Sequence, residues 1–161
     1  MYGKGGAHMR YECTLLAVSD LERSRRFYQE VLGMQVTSDF GANVTLDGRL
    51  SLQTLETWKE FLHSDAVVFG HQAGELYFEE EDMDAFSERL RACSVPLVHP
   101  LREHRWGQRV VRFYDPDRHV IEVGESMKSV VRRFLASGLT ESETAARMDV
   151  PLSYVRSFCD G

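Results

Sequence analysis

Residues 10–124 predict an α+β fold in which one βαβββ unit occurs twice, and three observations carry that prediction. First, a short apolar stretch, Tyr11–Val18, runs into the capping residues Ser19 and Asp20. It is followed by Phe27, Tyr28, Val31 and Leu32 at helical spacing. Second, the same order restarts with Glu75–Phe78 as a strand and Asp82–Cys93 as a helix with Met83, Phe86 and Leu90 inward. Third, two apolar runs, Val110–Tyr114 and His119–Val123, flank Asp115-Pro116-Asp117-Arg118. Proline presets φ and aspartate bonds its own backbone, so these four residues read as a hairpin turn.

Between these landmarks, Gly33 ends the first helix, as glycine does just past a helix. Strands follow over Gln35–Phe40, Asn43–Leu46 and Arg49–Leu55, with Asp47-Gly48 as the turn between the last two. Trp58–Leu62 predicts a single helical turn, because the stretch from Glu56 to His63 is too polar for a core strand. In the second unit the acidic run Glu79–Asp84 reads as a solvated turn that favours the helix N-terminus, and Leu97–His99 as a short strand. The units span about 10–60 and 74–124 within a domain over 9–125, and a repeat of this kind outranks single motifs.

The remainder, 126–161, changes character and predicts a helical C-terminal extension. Val130, Val131, Phe134 and Leu135 keep helical spacing, and 138–146 and 150–156 predict two short capped helices. The pair is similar to the helix-turn-helix half of many bacterial regulators. Its candidate recognition helix holds Arg156 as its only base, with Asp160 nearby, so packing or dimer stabilisation is expected in preference to DNA binding. Residues 1–8, including His8, are expected to be an appended remnant ahead of a native Met9.

At 161 residues the chain is long enough to bury a sizeable core, and its net charge of −6 disfavours nucleic acid and anionic membranes as partners. No apolar run reaches membrane-spanning length and no secretory leader is recognisable. Cys13, Cys93 and Cys159 lie far apart without metal-type spacing, which predicts reduced thiols in a cytoplasmic protein.

Glu122 is the odd residue of the closing hairpin. Strand side chains alternate, so it shares a face with Val120 and opposes Ile121 and Val123. A carboxylate there needs a cation, a donor network or a ligand. Arg109 and Arg112 on the adjacent strand could supply the charge.

Trp106-Gly107, a strand, Asp115-Pro116-Asp117 and a strand ending Ile121-Glu122-Val123 resemble the last hairpin of the vicinal oxygen chelate superfamily. That superfamily includes glyoxalase I, extradiol dioxygenases and the fosfomycin- and bleomycin-resistance proteins. Val18 to Tyr28, ending at Val31-Leu32-Gly33-Met34, resembles its first strand-to-helix unit, and Glu75–Phe86 with Arg89-Leu90 repeats that logic. The resemblance implies two sheets curled around a cavity and often a divalent metal. The implied ligand positions fall on Cys13, Gln53, Glu75 and Glu122, with no histidine among them. Two carboxylates and an amide suit hard ions, whereas cysteine is a soft ligand.

The resemblance also implies that Glu75 and Glu122 are the candidate catalytic carboxylates. Trp106, Arg109, Arg112, His104 and Tyr77 become candidate ligand-binding residues. Three functions are then open. The leading expectation is a small organic molecule held in the cavity of a homodimer without a histidine-ligated metal and with no cofactor. The alternative is a lyase, isomerase or dioxygenase in which manganese, nickel, zinc or magnesium polarises the substrate. A ligand-sensing regulator that uses the tail ranks third.

Overall fold

The computed structural model describes residues 10–159, and the remnant expected over 1–8 lies outside them. The chain divides into two units, Met1–Val67 and Val68–Gly161, each with its own four-stranded sheet. Unit one runs β1 (Thr14–Val18), α1 (Leu21–Glu30), β2 (Val36–Asp39), β3 (Asn43–Leu46), β4 (Leu50–Thr54) and α2 (Leu55–Leu62). Its sheet order is β1-β4-β3-β2, with β1 and β4 parallel.

Local chemistry explains the elements. Asp20 caps α1 by accepting from the Arg23 amide at 2.9 Å. Tyr28 and Val31 turn inward, and Val18, Val44, Leu46 and Leu52 are buried in the same unit. Asp47 and Gly48 both have positive φ, at 47° and 72°, the conformation a two-residue hairpin turn of type I′ requires. The single turn expected near Trp58 is an eight-residue helix, α2, which starts directly from β4 and ends where His63 turns left-handed. The sequence pattern understated it because α2 buries no residue fully.

Unit two runs β5 (Glu75–Glu80), α3 (Met83–Ala92), β6 (Leu97–Glu103), β7 (Arg109–Tyr114) and β8 (Val120–Glu125), in the order β5-β8-β7-β6. β5 and β8 are parallel, and the other two pairings are antiparallel. Met83, Phe86 and Leu90 are the buried face of α3. β6 extends four residues beyond the expected Leu97–His99 and contains Pro100. A strand at the sheet edge tolerates a missing N–H, and the register with β7 shifts on either side of His99. In the turn after β7, Asp115 Oδ1 accepts from the Asp117 and His119 amides at 2.9 and 2.8 Å, while Oδ2 meets His119 Nδ1 at 2.8 Å.

Three helices follow: α4 (Met127–Ala136), α5 (Glu141–Met148) and α6 (Leu152–Arg156). They share a small core of Val130, Val131, Phe134, Ala145, Met148 and Val155. Thr140 and Glu143 form a reciprocal capping box at the start of α5. The extension is tied to the sheet through the last residue of β8, since the buried Glu125 carboxylate accepts from Arg133 Nε at 3.1 Å and Nη2 at 2.9 Å. Arg133 also donates to the Gly107 carbonyl. Among the described residues, no helix is long and apolar enough to cross a membrane.

Candidate functional site

The register of unit two places the candidate residues around one point. Glu122 pairs with Tyr77 on its parallel neighbour and with Arg112 on its antiparallel one. Glu75 lies one pleat repeat before Tyr77 on the same face. Arg112 Nε donates to Glu75 Oε2 at 2.8 Å and Nη2 to Glu75 Oε1 at 3.4 Å. Nη2 also closes an ion pair with Glu122 Oε2, and Nη1 donates to His99 Nε2 at 3.2 Å. The Glu122 side chain is 8 % exposed, against 28 % for Arg112 and 35 % for Glu75. One guanidinium therefore serves two carboxylates and an imidazole, and the trio of charges sums to −1.

A second cluster continues along this face. Gln108 Nε2 donates to the Tyr77 hydroxyl and to the Glu125 carbonyl, both at 3.0 Å. Trp106 Nε1 donates to Gln108 Oε1 at 3.2 Å, and the His104 ring stacks on Trp106 with centroids 4.2 Å apart. Gly124 is the floor beneath Tyr77 and Gln108. A Cβ there would lie 2.9 Å from Gln108 Nε2 and 3.0 Å from the Tyr77 oxygen. Partial burial, then the charges of Arg112 and His99, hold the His104 imidazole below its ordinary pKa. Burial raises the Tyr77 phenol, with neighbouring Glu79 adding to the effect.

Arg109 stands apart from this group. It lies on the opposite face from Arg112, because residues three apart on a strand point to opposite sides. There it binds Glu125 at 3.1 Å and Asp84 of α3 at 2.9 Å. Burial raises the Glu125 carboxyl, but the hydrogen bonds from Arg133 and Arg109 outweigh it and hold this group below the usual carboxylate range.

Unit one shows what the repeat does to the implied ligand set. Leu15 pairs with Ser51 as Tyr77 pairs with Glu122, and Thr45 opposes Ser51 as Arg112 opposes Glu122. The equivalent of Glu122 is thus Ser51, and Gln53 sits one pleat repeat further on, at the equivalent of Gly124. Cys13 corresponds to Glu75, and Ser51 Oγ approaches its sulfur at 3.9 Å and Thr45 Oγ1 at 2.9 Å. Gln53 is engaged separately, accepting from Asn43 Nδ2 at 2.8 Å and bonding Thr57.

These donors do not fit a divalent cation. The pair of carboxylates in unit two already encloses a guanidinium, and the equivalent trio in unit one is a thiol and two hydroxyls. Among the described residues, no three of histidine, cysteine, aspartate or glutamate are gathered closely enough to hold an ion. His99, Gln108, Ser51 and Thr45 carry no motif that marks them in the sequence. Glu125 is marked only by its place at the end of an otherwise apolar strand.

Comparison with known proteins follows the same lines. Residues 11–128 match the family model described as a glyoxalase-like domain. The lactoylglutathione lyase of Haemophilus influenzae is 27 % identical over 125 residues, 70 % of this chain and 90 % of the relative. A solved protein of unknown function from Agrobacterium tumefaciens is 38 % identical, with a TM-score of 0.69, over 76 % of this chain and 98 % of its own. A glyoxalase/bleomycin resistance protein/dioxygenase from Nocardioides shares the fold at 22 % identity and a TM-score of 0.61, over 76 % and 86 % of the two chains. The paired βαβββ units and the match over most of the chain establish that it belongs to the glyoxalase-like domain family, within the vicinal oxygen chelate superfamily.

Proposed function

We propose that the chain binds a small organic molecule bearing an amine or another cationic, hydrogen-bond-donating group on the Glu122 face of its second sheet. The observation that carries this reading is the charge balance at Arg112. Two carboxylates share one guanidinium, leaving one negative charge beside the half-exposed Tyr77 and Trp106 rings. Aromatic faces attract cations, and a carboxylate in a partly dry setting rewards a donor. A hollow of about 420 Å³ opens next to Glu75 and Arg112, lined also by Gln72, Val98 and Val120.

Calorimetry with small aromatic amines and a cationic glycopeptide of the bleomycin class tests the reading. Saturable binding, weakened roughly tenfold by Glu75→Gln, supports it, at about 1.4 kcal/mol for one lost charge-assisted contact. Absence of binding by every cationic probe refutes it. A second reading, a lyase or isomerase, draws on the 27 % identity to lactoylglutathione lyase. Incubation with lactoylglutathione, with and without added manganese, nickel or zinc, tests that reading, and no turnover under any condition sinks it.

A further inference from the structure

We propose that Arg112 is the resident cation of this face, and that its guanidinium replaces a divalent ion. Removing it would uncover a metal site made of Glu75, Glu122 and His99. The proposal is independent of which ligand the face binds, because it concerns a cluster that exists without one.

Geometry supports the proposal. Three potential metal ligands from three strands converge on one planar cation: Glu75 on β5, Glu122 on β8 and His99 on β6. Each addresses the nitrogens of the same group, so the donors surround a single positive centre. The breadth of a guanidinium spreads them beyond what an ion needs, and metal–oxygen and metal–nitrogen bonds are only about 2.0–2.2 Å long. Closing in requires the side chains to move, and Glu75, one-third exposed, is free to do so.

The energetics point the same way. Glu122 is almost fully buried, and without Arg112 its charge has no compensating partner within the cluster. A buried, unpaired carboxylate either takes up a proton or recruits a cation. With a second carboxylate and an imidazole at hand once Arg112 is gone, cation recruitment is the expected outcome. Two oxygens and one nitrogen of this kind suit manganese and zinc.

Titration of the full chain with Mn²⁺, followed by calorimetry and by the loss of the free-ion electron paramagnetic resonance signal, tests the proposal. Manganese is the chosen probe because exposed Cys93 and Cys159 would capture softer ions. The wild type and Arg112→Lys, which keeps a cation in place, should show no saturable site. Arg112→Ala should bind one equivalent at least about a hundredfold more tightly than wild type, and the double variant Arg112→Ala/Glu122→Gln should lose that gain. Circular dichroism establishes that each variant folds. Arg112→Gln, neutral and of similar reach, takes the same titration if the alanine variant does not fold. Stoichiometric manganese on the wild type overturns the proposal. So does a folded neutral variant that binds no more tightly than wild type.

Discussion

Arg133 is the strongest point at which to test how the helical extension is attached. Replacing it with methionine keeps most of the aliphatic volume and removes two hydrogen bonds to the buried Glu125 carboxylate and one to the Gly107 carbonyl. A hydrogen bond to a charged group contributes roughly 1.5–3 kcal/mol net. Arg109 remains on Glu125, and the Arg133 side chain is 31 % exposed, so the pair is partly screened. We therefore expect a loss of about 2 kcal/mol at pH 7, or roughly 4–8 °C in melting temperature for a chain of this size. The pH dependence has a definite sign. The folded pKa of Glu125 is depressed, so its stabilisation is complete above the unfolded value of about 4.3 and is lost as pH falls through the lower folded value. The deficit of Arg133→Met must therefore shrink on acidification. Urea denaturation of wild type, Arg133→Met, Glu125→Gln and the double variant between neutral and acid pH measures both effects. A deficit under about 0.5 kcal/mol at pH 7, or one that grows as the carboxylate protonates, refutes the reasoning.

Two further substitutions probe the turns that frame the site. Gly107→Ala would drive a Cβ into the Phe134 ring at a residue whose φ is +90°, so overpacking and left-handed strain together should cost about 2–4 kcal/mol. Denaturation of Gly107→Ala alone and with Phe134→Leu checks this, since the smaller leucine should recover the overpacking share. Asp115→Ala removes the acceptor of two turn amides, one of them buried, and the partner of His119, and should lose about 2–3 kcal/mol in the same assay. Asp115→Asn, which keeps an acceptor oxygen, should retain more stability than the alanine variant.

The fold is legible in the sequence wherever one short-range rule decides an element. Asp20 and Asp82 cap their helices through an amide three residues on, and Asp47-Gly48 and the Asp115 turn satisfy local backbone geometry. Such signals sit within four residues of what they organise. The extra length of β6 is not legible, because Pro100 marks a break unless the strand is known to be an edge. The site divides in the same manner. Glu122 is conspicuous because alternation assigns its face, and Arg112 is then the adjacent cation. Glu75 is marked beside Glu122 only by the family resemblance, and His99 joins them through the pairing of β6 with β7, which no local pattern encodes. Arg109 and Arg112 look equivalent in sequence, yet the pleat sends them to opposite faces, one to Glu125 and one to Glu122.

The two copies of the repeat also explain why fold and chemistry separate here. Position by position, Glu75, Glu122 and Arg112 of unit two correspond to Cys13, Ser51 and Thr45 of unit one. Each trio is self-consistent. The first gathers two carboxylates on one guanidinium, and the second pairs weak donors with weak acceptors. An arginine in place of Thr45 would bring an unmatched charge against a thiol and a hydroxyl, and removing Arg112 would leave the two carboxylates facing each other without a cation. Glu122 is the buried member of the first trio, so taking away its cation would leave a buried charge uncompensated, which is costly. The three positions are therefore coupled. The backbone register that brings them together is indifferent to that choice, because the sheet hydrogen bonds do not involve these side chains. A shared fold thus fixes which three side chains meet at the centre of each sheet, while their chemistry is set by the residues that occupy those positions.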